Sequence, residues 1–216
     1  MTERAQQSAL TKGHTLHTIG NALALEEFVP TDRSLARQTL GIPDQVPVIA
    51  FGAARIDLPA KGLQRLLDAI DTDVLRQLNP HLLLFGNCKD ETLWSRIHCT
   101  YTYVGEVQGS EALSRLYSSA DVLVNTSDYE TFGQTLTEAM ACGCTPVSFD
   151  CGGQSDIIRH REDGYLAQAY DIADLAEGIR WALTTRLPAH LLRQSAARFS
   201  TDSIARQYSE LYETLL

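Results

Sequence analysis

The chain has 216 residues, 44% of them hydrophobic and 21% charged, with a formal net charge of −9. That length gives one domain with a substantial buried core and falls short of two, and the composition is that of a globular protein rather than a disordered or membrane-embedded one. An acidic chain whose lysines are Lys12, Lys61 and Lys89 lacks the broad basic face that nucleic-acid backbones need, so an anionic ligand must be met by a few local cations and backbone amides.

The chain opens on MTERAQQSALTKGHTLHTIG, which lacks the apolar centre of a secretory signal, and no apolar run approaches the roughly 20 residues of a membrane span. A cytoplasmic setting is expected. The cysteines at 88, 99, 142, 144 and 151 show no CxxC spacing and read as reduced core thiols rather than as a disulfide framework or a zinc site.

Residues 1–30 read as a lead-in without a complete βα unit. From there, short apolar runs alternate with amphipathic stretches. Strands are predicted at 47–52, 81–86, 101–105, 121–126, 145–150 and 164–167, and helices at 61–70, around 90–97, and at 109–120, 133–142 and 171–183. Such alternation implies right-handed βαβ units, hence an α/β fold with a Rossmann-like parallel sheet of about six strands and helices on both faces, spanning 31–187. Residues 188–216 predict helices broken near Ser200, with Thr201 or Asp202 as the cap, packing on that domain or towards another one.

Several strands end in or beside glycine, at Gly52, Gly86 and Gly105, which marks the carboxyl edge of the sheet as the ligand edge. After the fourth strand comes 127-SDYETFGQTLTEAMACG-143. Gly133, Gln134 and Thr135 would open a helix whose unpaired amides and partial positive charge suit a phosphate. Glu138, about one turn farther in, is placed to accept hydroxyl hydrogen bonds from a ribose, and Glu130 lies on the other side of the turn. From spacing alone, a solvated loop acid at Glu130 and a dipole-balancing acid at Glu138 are the simpler readings.

The order 130-ETFGQTLTE-138, followed by 139-AMACGCTPVSFDCGG-153 and 163-DGYLA-167, resembles the C-terminal donor-binding half of GT-B retaining glycosyltransferases, in particular family 4 (glycosyl transferases group 1). Their E-x7-E signature is written E-x-F-G-x-x-x-x-E-A-x-A-x-G-x-P-V. Further agreement lies in 104-VGEV-107, 113-LSRLYSSADV-122, 61-KGLQRLLDAI-70 and 19-IGNALALEEFVP-30.

The resemblance implies that Glu138 holds the ribose hydroxyls and Glu130 hydroxyls of the donor sugar. Amides near Gly133, Gln134 and Thr135 would hold the distal phosphate, and Lys61 would balance the diphosphate leaving group. Gly52, Gly105, Val107 and Phe132 belong to the matching motifs around the donor. Glu130 and Lys61 are the residues implied to act in the reaction. Ala53 stands where the family usually has an arginine; Arg55 is the candidate to reach the same phosphate, with a surface role as the other reading.

The implied function is transfer of a sugar from a UDP- or GDP-sugar to an acceptor hydroxyl with retention, in polysaccharide or glycoconjugate biosynthesis, with no metal and no other cofactor. The acceptor would be a saccharide or lipid-linked saccharide. In this fold the active site is a cleft between two similar domains, and the chain has no room for the N-terminal one. The isolated chain is therefore expected to bind donor and transfer poorly, in the cytoplasm or at the inner face of the membrane through the missing half. Two alternatives remain at this level: a non-catalytic nucleotide-sugar-binding module, and a GT-B-like enzyme such as a sugar-nucleotide epimerase or a phosphorylase.

Two motifs are set aside. Asp71 and Asp73 match an acidic metal motif of the other large glycosyltransferase fold but follow a helix away from the ligand edge. Asn125 begins a glycosylation sequon in a chain without a signal. His81, His98 and His160 have no mutual metal spacing.

Overall fold

The computed structural model describes residues 5–214; residues 1–4 of the lead-in and 215–216 of the C-terminal segment lie outside the described residues. Helix α1 (Arg33–Leu40) opens on Asp32, whose carboxylate accepts from the Leu35 amide at 2.8 Å. Then follow β1 (Val48–Arg55), α2 (Leu63–Ile70), the short α3 (Asp73–Arg76), β2 (His81–Asn87), β3 (Tyr101–Tyr103), α4 (Ser110–Ser119) and β4 (Val122–Asn125). Next come α5 (Gln134–Ala141), β5 (Thr145–Asp150), β6 (Tyr165–Gln168), α6 (Ile172–Thr185), α7 (Ala189–Ala196) and α8 (Thr201–Glu213).

The six strands form one sheet in the order β3-β2-β1-β4-β5-β6, with every neighbouring pair parallel. Side chains alternate across a strand, and here both faces are covered. Val48, Ala50, Leu83 and Phe85 join the core under α4 and α5, whereas Ile49, Phe51, Leu82 and Leu84 join the core under α2 and α6. Burial on both faces is why these strands read as continuous apolar runs. The chain builds outward from β1 to β3 and then returns to place β4 on the other side of β1. That reversal opens a crevice beyond the carboxyl ends of β1 and β4, where open α/β sheets bind ligands.

Several boundaries differ from the sequence expectation. The stretch around 90–97 is a 3-10 helix (Glu91–Arg96), because the Asp90 carboxylate accepts from both the amide and the hydroxyl of Thr92 and tightens the first turn. Strand β1 runs past Gly52 to Arg55, and β3 stops at Tyr103. Helix α8 is capped by Ser200, whose hydroxyl accepts from the Ser203 amide, and neither Thr201 nor Asp202 takes that role.

The lead-in and the C-terminal helices lie together. Leu23 donates its amide to the Phe199 carbonyl at 2.8 Å and accepts from the Thr201 amide at 3.2 Å. Arg193 of α7 reaches the carbonyls of Leu25 at 2.9 Å and Ala141 at 3.0 Å, which fastens α7 to the end of α5 and to the lead-in. No helix among the described residues is long and apolar enough to cross a membrane.

Candidate functional site

Beyond the ends of β1 and β4 lies a cleft of about 210 Å³, lined by Gly52, Ala53, Ala54, Lys61, Asn125, Ser127, Glu130, Gly133, Gln134 and Thr135 together with Phe51. The loops that follow the two strands are stitched to each other. Asp128 donates its amide to the Ala60 carbonyl at 2.8 Å, and the Thr126 hydroxyl donates to the Gly62 carbonyl at 2.8 Å. Gly62 sits at φ +74°, and a Cβ there would stand 2.1 Å from the Thr126 carbonyl oxygen, so glycine is needed both for the left-handed turn and for the close approach. Arg65 pairs with Asp128 at 2.5 Å across the same seam.

The seam delivers Lys61 to Glu130. Their Nζ and Oε1 atoms are 2.7 Å apart, and the Ser127 hydroxyl donates to the same carboxylate oxygen at 2.8 Å. The Gly153 amide donates to the Glu130 carbonyl at 2.9 Å and holds the loop from behind. Both members of the pair are partly exposed, so each remains open to a ligand.

Helix α5 starts at the opposite wall. Its N-cap is Gly133 in a left-handed conformation, and no side chain caps it, which leaves the positive end of the helix turned to the cleft at Gln134 and Thr135. The Gln134 side chain is drawn instead to the lead-in, donating to the Ala22 carbonyl at 3.3 Å. A cation and an uncapped helix start facing one small space are features that suit an anion, even within an acidic chain.

Glu138 lies off the cleft lining, on the side of α5 that faces α4, where its Oε2 accepts from the Tyr117 hydroxyl at 2.7 Å. It is half-buried. Burial pushes its carboxyl above the ordinary glutamate range, and the Tyr117 hydrogen bond opposes that rise. Burial, with the neighbouring Glu138 charge, holds the Tyr117 hydroxyl well above its usual range, so it stays a donor.

Of the other residues expected at the site, Arg55, Gly105, Val107 and Phe132 lie off the cleft lining. Arg55 does not join the cleft: its guanidinium makes paired contacts with Asp57, at 3.1 and 2.7 Å, and Asp57 also accepts from the Lys89 amide. The reason is local, since an acid two residues on captures it; the Arg55 bond holds the Asp57 carboxyl down at about 2. Gly105 accepts from the Gly86 amide at 2.7 Å beside the end of β2. Val107 lines a separate groove with Leu40 and Leu116. Phe132 is a core residue, buried edge-on against Phe199 at 5.4 Å. Gly52 is at the cleft, but its missing Cβ makes room for a side chain: a Cβ would stand 2.1 Å from the Phe85 ring.

Sequence reasoning missed Ser127 and Tyr117. Ser127 stands one turn-length before Glu130, which was a usable signal, whereas Tyr117 reads as an ordinary apolar position of α4. Among the described residues no group of histidine, cysteine and carboxylate side chains has metal-binding geometry. Asp71 pairs with Arg76 and His98 at the end of α2, away from the cleft, and the Asn125 carboxamide accepts from the Ser127 amide inside the protein. Cys142 and Cys144 are buried, and burial raises both thiols, Cys142 to about 11.

The family model for glycosyl transferases group 1 matches residues 46–185, which include both stitched loops and α5. The chain belongs to this family. A GDP-mannose-dependent alpha-mannosyltransferase of Mycolicibacterium smegmatis is 31% identical over 151 residues, covering 70% of this chain and 38% of that protein. A D-inositol 3-phosphate glycosyltransferase of Saccharomonospora viridis is 30% identical over 217 residues, covering 90% of this chain and 50% of that protein. This group 1 glycosyltransferase chain thus spans about half the length of the curated relatives it matches, or less.

Among solved structures, the sucrose-phosphate synthase of Thermosynechococcus elongatus superposes with a TM-score of 0.80 at 27% identity, over 99% of this chain and 56% of that one. Anabaena HepE, solved with UDP and glucose, gives a TM-score of 0.76 at 22% identity, over 98% of this chain and 61% of that one, and shares the fold. The Rossmann-like sheet and its GT-B relationship are therefore as the sequence implied.

Proposed function

We propose that this chain is the donor-binding half of a retaining glycosyltransferase that moves a sugar from a UDP- or GDP-sugar to an acceptor hydroxyl in polysaccharide or glycoconjugate biosynthesis. The observation that carries the reading is the meeting of Lys61, Glu130 and the uncapped start of α5 in one cleft at the strand-order reversal. Family membership adds to it, and the mannosyltransferase relative, named for its GDP-mannose dependence, supports a nucleotide-sugar as donor.

In this reading the diphosphate lies between the Lys61 ammonium and the amides of Gln134 and Thr135. Lys61 turns from Glu130 to the phosphate, and Glu130, still held by Ser127, takes hydroxyls of the sugar. Cleavage of the sugar–phosphate bond leaves negative charge on the diphosphate, so a fixed cation and a helix start directed at it lower the barrier without a metal. Glu138 takes the ribose. The acceptor, a saccharide or lipid-linked saccharide, would be contacted mainly by an N-terminal domain outside these 216 residues.

Calorimetric titration of the purified chain with UDP, GDP and their sugars tests the reading. Binding of at least one nucleoside diphosphate, tightened by its sugar, is expected, with little transfer by the chain alone. No binding of either nucleotide, or rapid transfer by the isolated chain, overturns it.

A further inference from the structure

The sheet edge carries a chain of contacts that the donor reading does not require. Gly52, at the end of the apolar part of β1, has no side chain, and the space is filled by the Phe85 ring from β2. The rings of Phe85 and Tyr117 meet edge to face, with centroids 5.8 Å apart and an interplanar angle of 80°, a favourable aromatic arrangement. Tyr117 is fully buried, and its hydroxyl donates to Oε2 of Glu138 at 2.7 Å. A tyrosine ring locked by its neighbours thus holds one oxygen of a half-buried carboxylate and leaves the other oxygen uncommitted by that bond.

We propose that Tyr117 is a positioning residue that fixes the Glu138 carboxylate for the paired hydroxyls of a nucleotide ribose, so that discrimination of ribose from deoxyribose is set from inside the core through Gly52, Phe85 and Tyr117. A free carboxylate rotates about its last side-chain bond and presents either oxygen to a single hydroxyl. One oxygen pinned by a buried donor stops that rotation and presents an acceptor of fixed direction to a rigid diol. The inference rests on the donor reading above, because it assigns Glu138 to the ribose.

The test compares UDP and GDP with their 2′-deoxy counterparts, by calorimetry, on the wild-type chain, Tyr117→Phe and Glu138→Ala. The wild type is expected to favour the ribonucleotide by about tenfold, the size of one hydrogen bond to a charged group. Tyr117→Phe should cut that preference to about threefold or less and leave the affinity for the deoxynucleotide within about twofold, and Glu138→Ala should abolish the preference. A merely structural hydroxyl would instead lower both affinities together, and that result, or an unchanged preference in Tyr117→Phe, overturns the inference. A wild type that binds nucleotides without ribose preference overturns it while sparing the donor reading; a wild type that binds none overturns both. Should Tyr117→Phe not fold, Phe85→Leu, which removes the edge contact on the tyrosine ring, must lower the preference in the same way or the inference fails.

Discussion

Lys61 and Glu130 come from loops after different strands, yet their charged groups meet at 2.7 Å over the cleft. The pair is partly exposed, so its own contribution to stability is at most about 1 kcal/mol. Lys61→Ala should therefore leave the thermal midpoint nearly unchanged while weakening nucleoside diphosphate binding about tenfold or more, since it removes the cation proposed to face the diphosphate. Calorimetry beside a thermal melt checks both, and a large loss of stability with unchanged affinity would assign the pair a structural role.

The two acids of the signature should separate by ligand. Glu138→Ala is expected to weaken the nucleotide and the nucleotide-sugar alike, whereas Glu130→Ala should remove mainly the extra affinity that the sugar confers. Equal losses for both ligands in both variants would contradict that division.

The raised carboxyl of Glu138 gives a pH prediction. Its folded value lies above the unfolded one, so the folded state binds more protons in the window above about pH 4.3. The group's contribution to stability is then complete below that window and is lost as pH rises through the folded value. Binding of ribose hydroxyls needs the charged acceptor and should strengthen over the same rise. Melts and titrations across that range should show opposite slopes, both flattened in Glu138→Gln.

His81 is buried at the start of β2 between the hydroxyls of Thr100 and Thr102, at 3.0 and 2.9 Å, and burial, with Arg37 nearby, pushes its ring below the ordinary histidine range. The unfolded chain therefore binds the proton first. Stability should fall as pH drops below about 6.5, by up to about 1.4 kcal/mol per pH unit from this group, and His81→Gln should lose that slope relative to the wild type. Denaturant unfolding at several pH values measures the difference.

Gly62→Ala should destabilise the chain by roughly 1–3 kcal/mol, through its left-handed backbone and the clash with the Thr126 carbonyl, and should also weaken nucleotide binding by displacing Lys61. Arg55→Ala is the contrasting variant: with its guanidinium held by Asp57, nucleotide affinity should stay within about twofold. A tenfold loss there would return Arg55 to the phosphate.

The parallel sheet and the helix start at Gly133 could be read from the chain, because both depend on local patterns: apolar runs between amphipathic stretches, and a glycine before a helical segment. The same is true of the E-x7-E spacing of Glu130 and Glu138. What the chain could not show was how side chains from distant segments share space. Lys61 stood as a cation in the loop after β1, and only the fold brought it to Glu130 in the loop after β4. Phe132 read as a ligand-side residue, and packing against Phe199 made it part of the core, whereas Gly52 stays at the cleft with the Phe85 ring filling the space a side chain would take. Tyr117 had no signal at all, because its partner lies on another helix. Periodicity and backbone chemistry are properties of neighbouring residues and travel with the sequence; the pairing of a charge or the filling of a cavity is decided by which surfaces the sheet brings together.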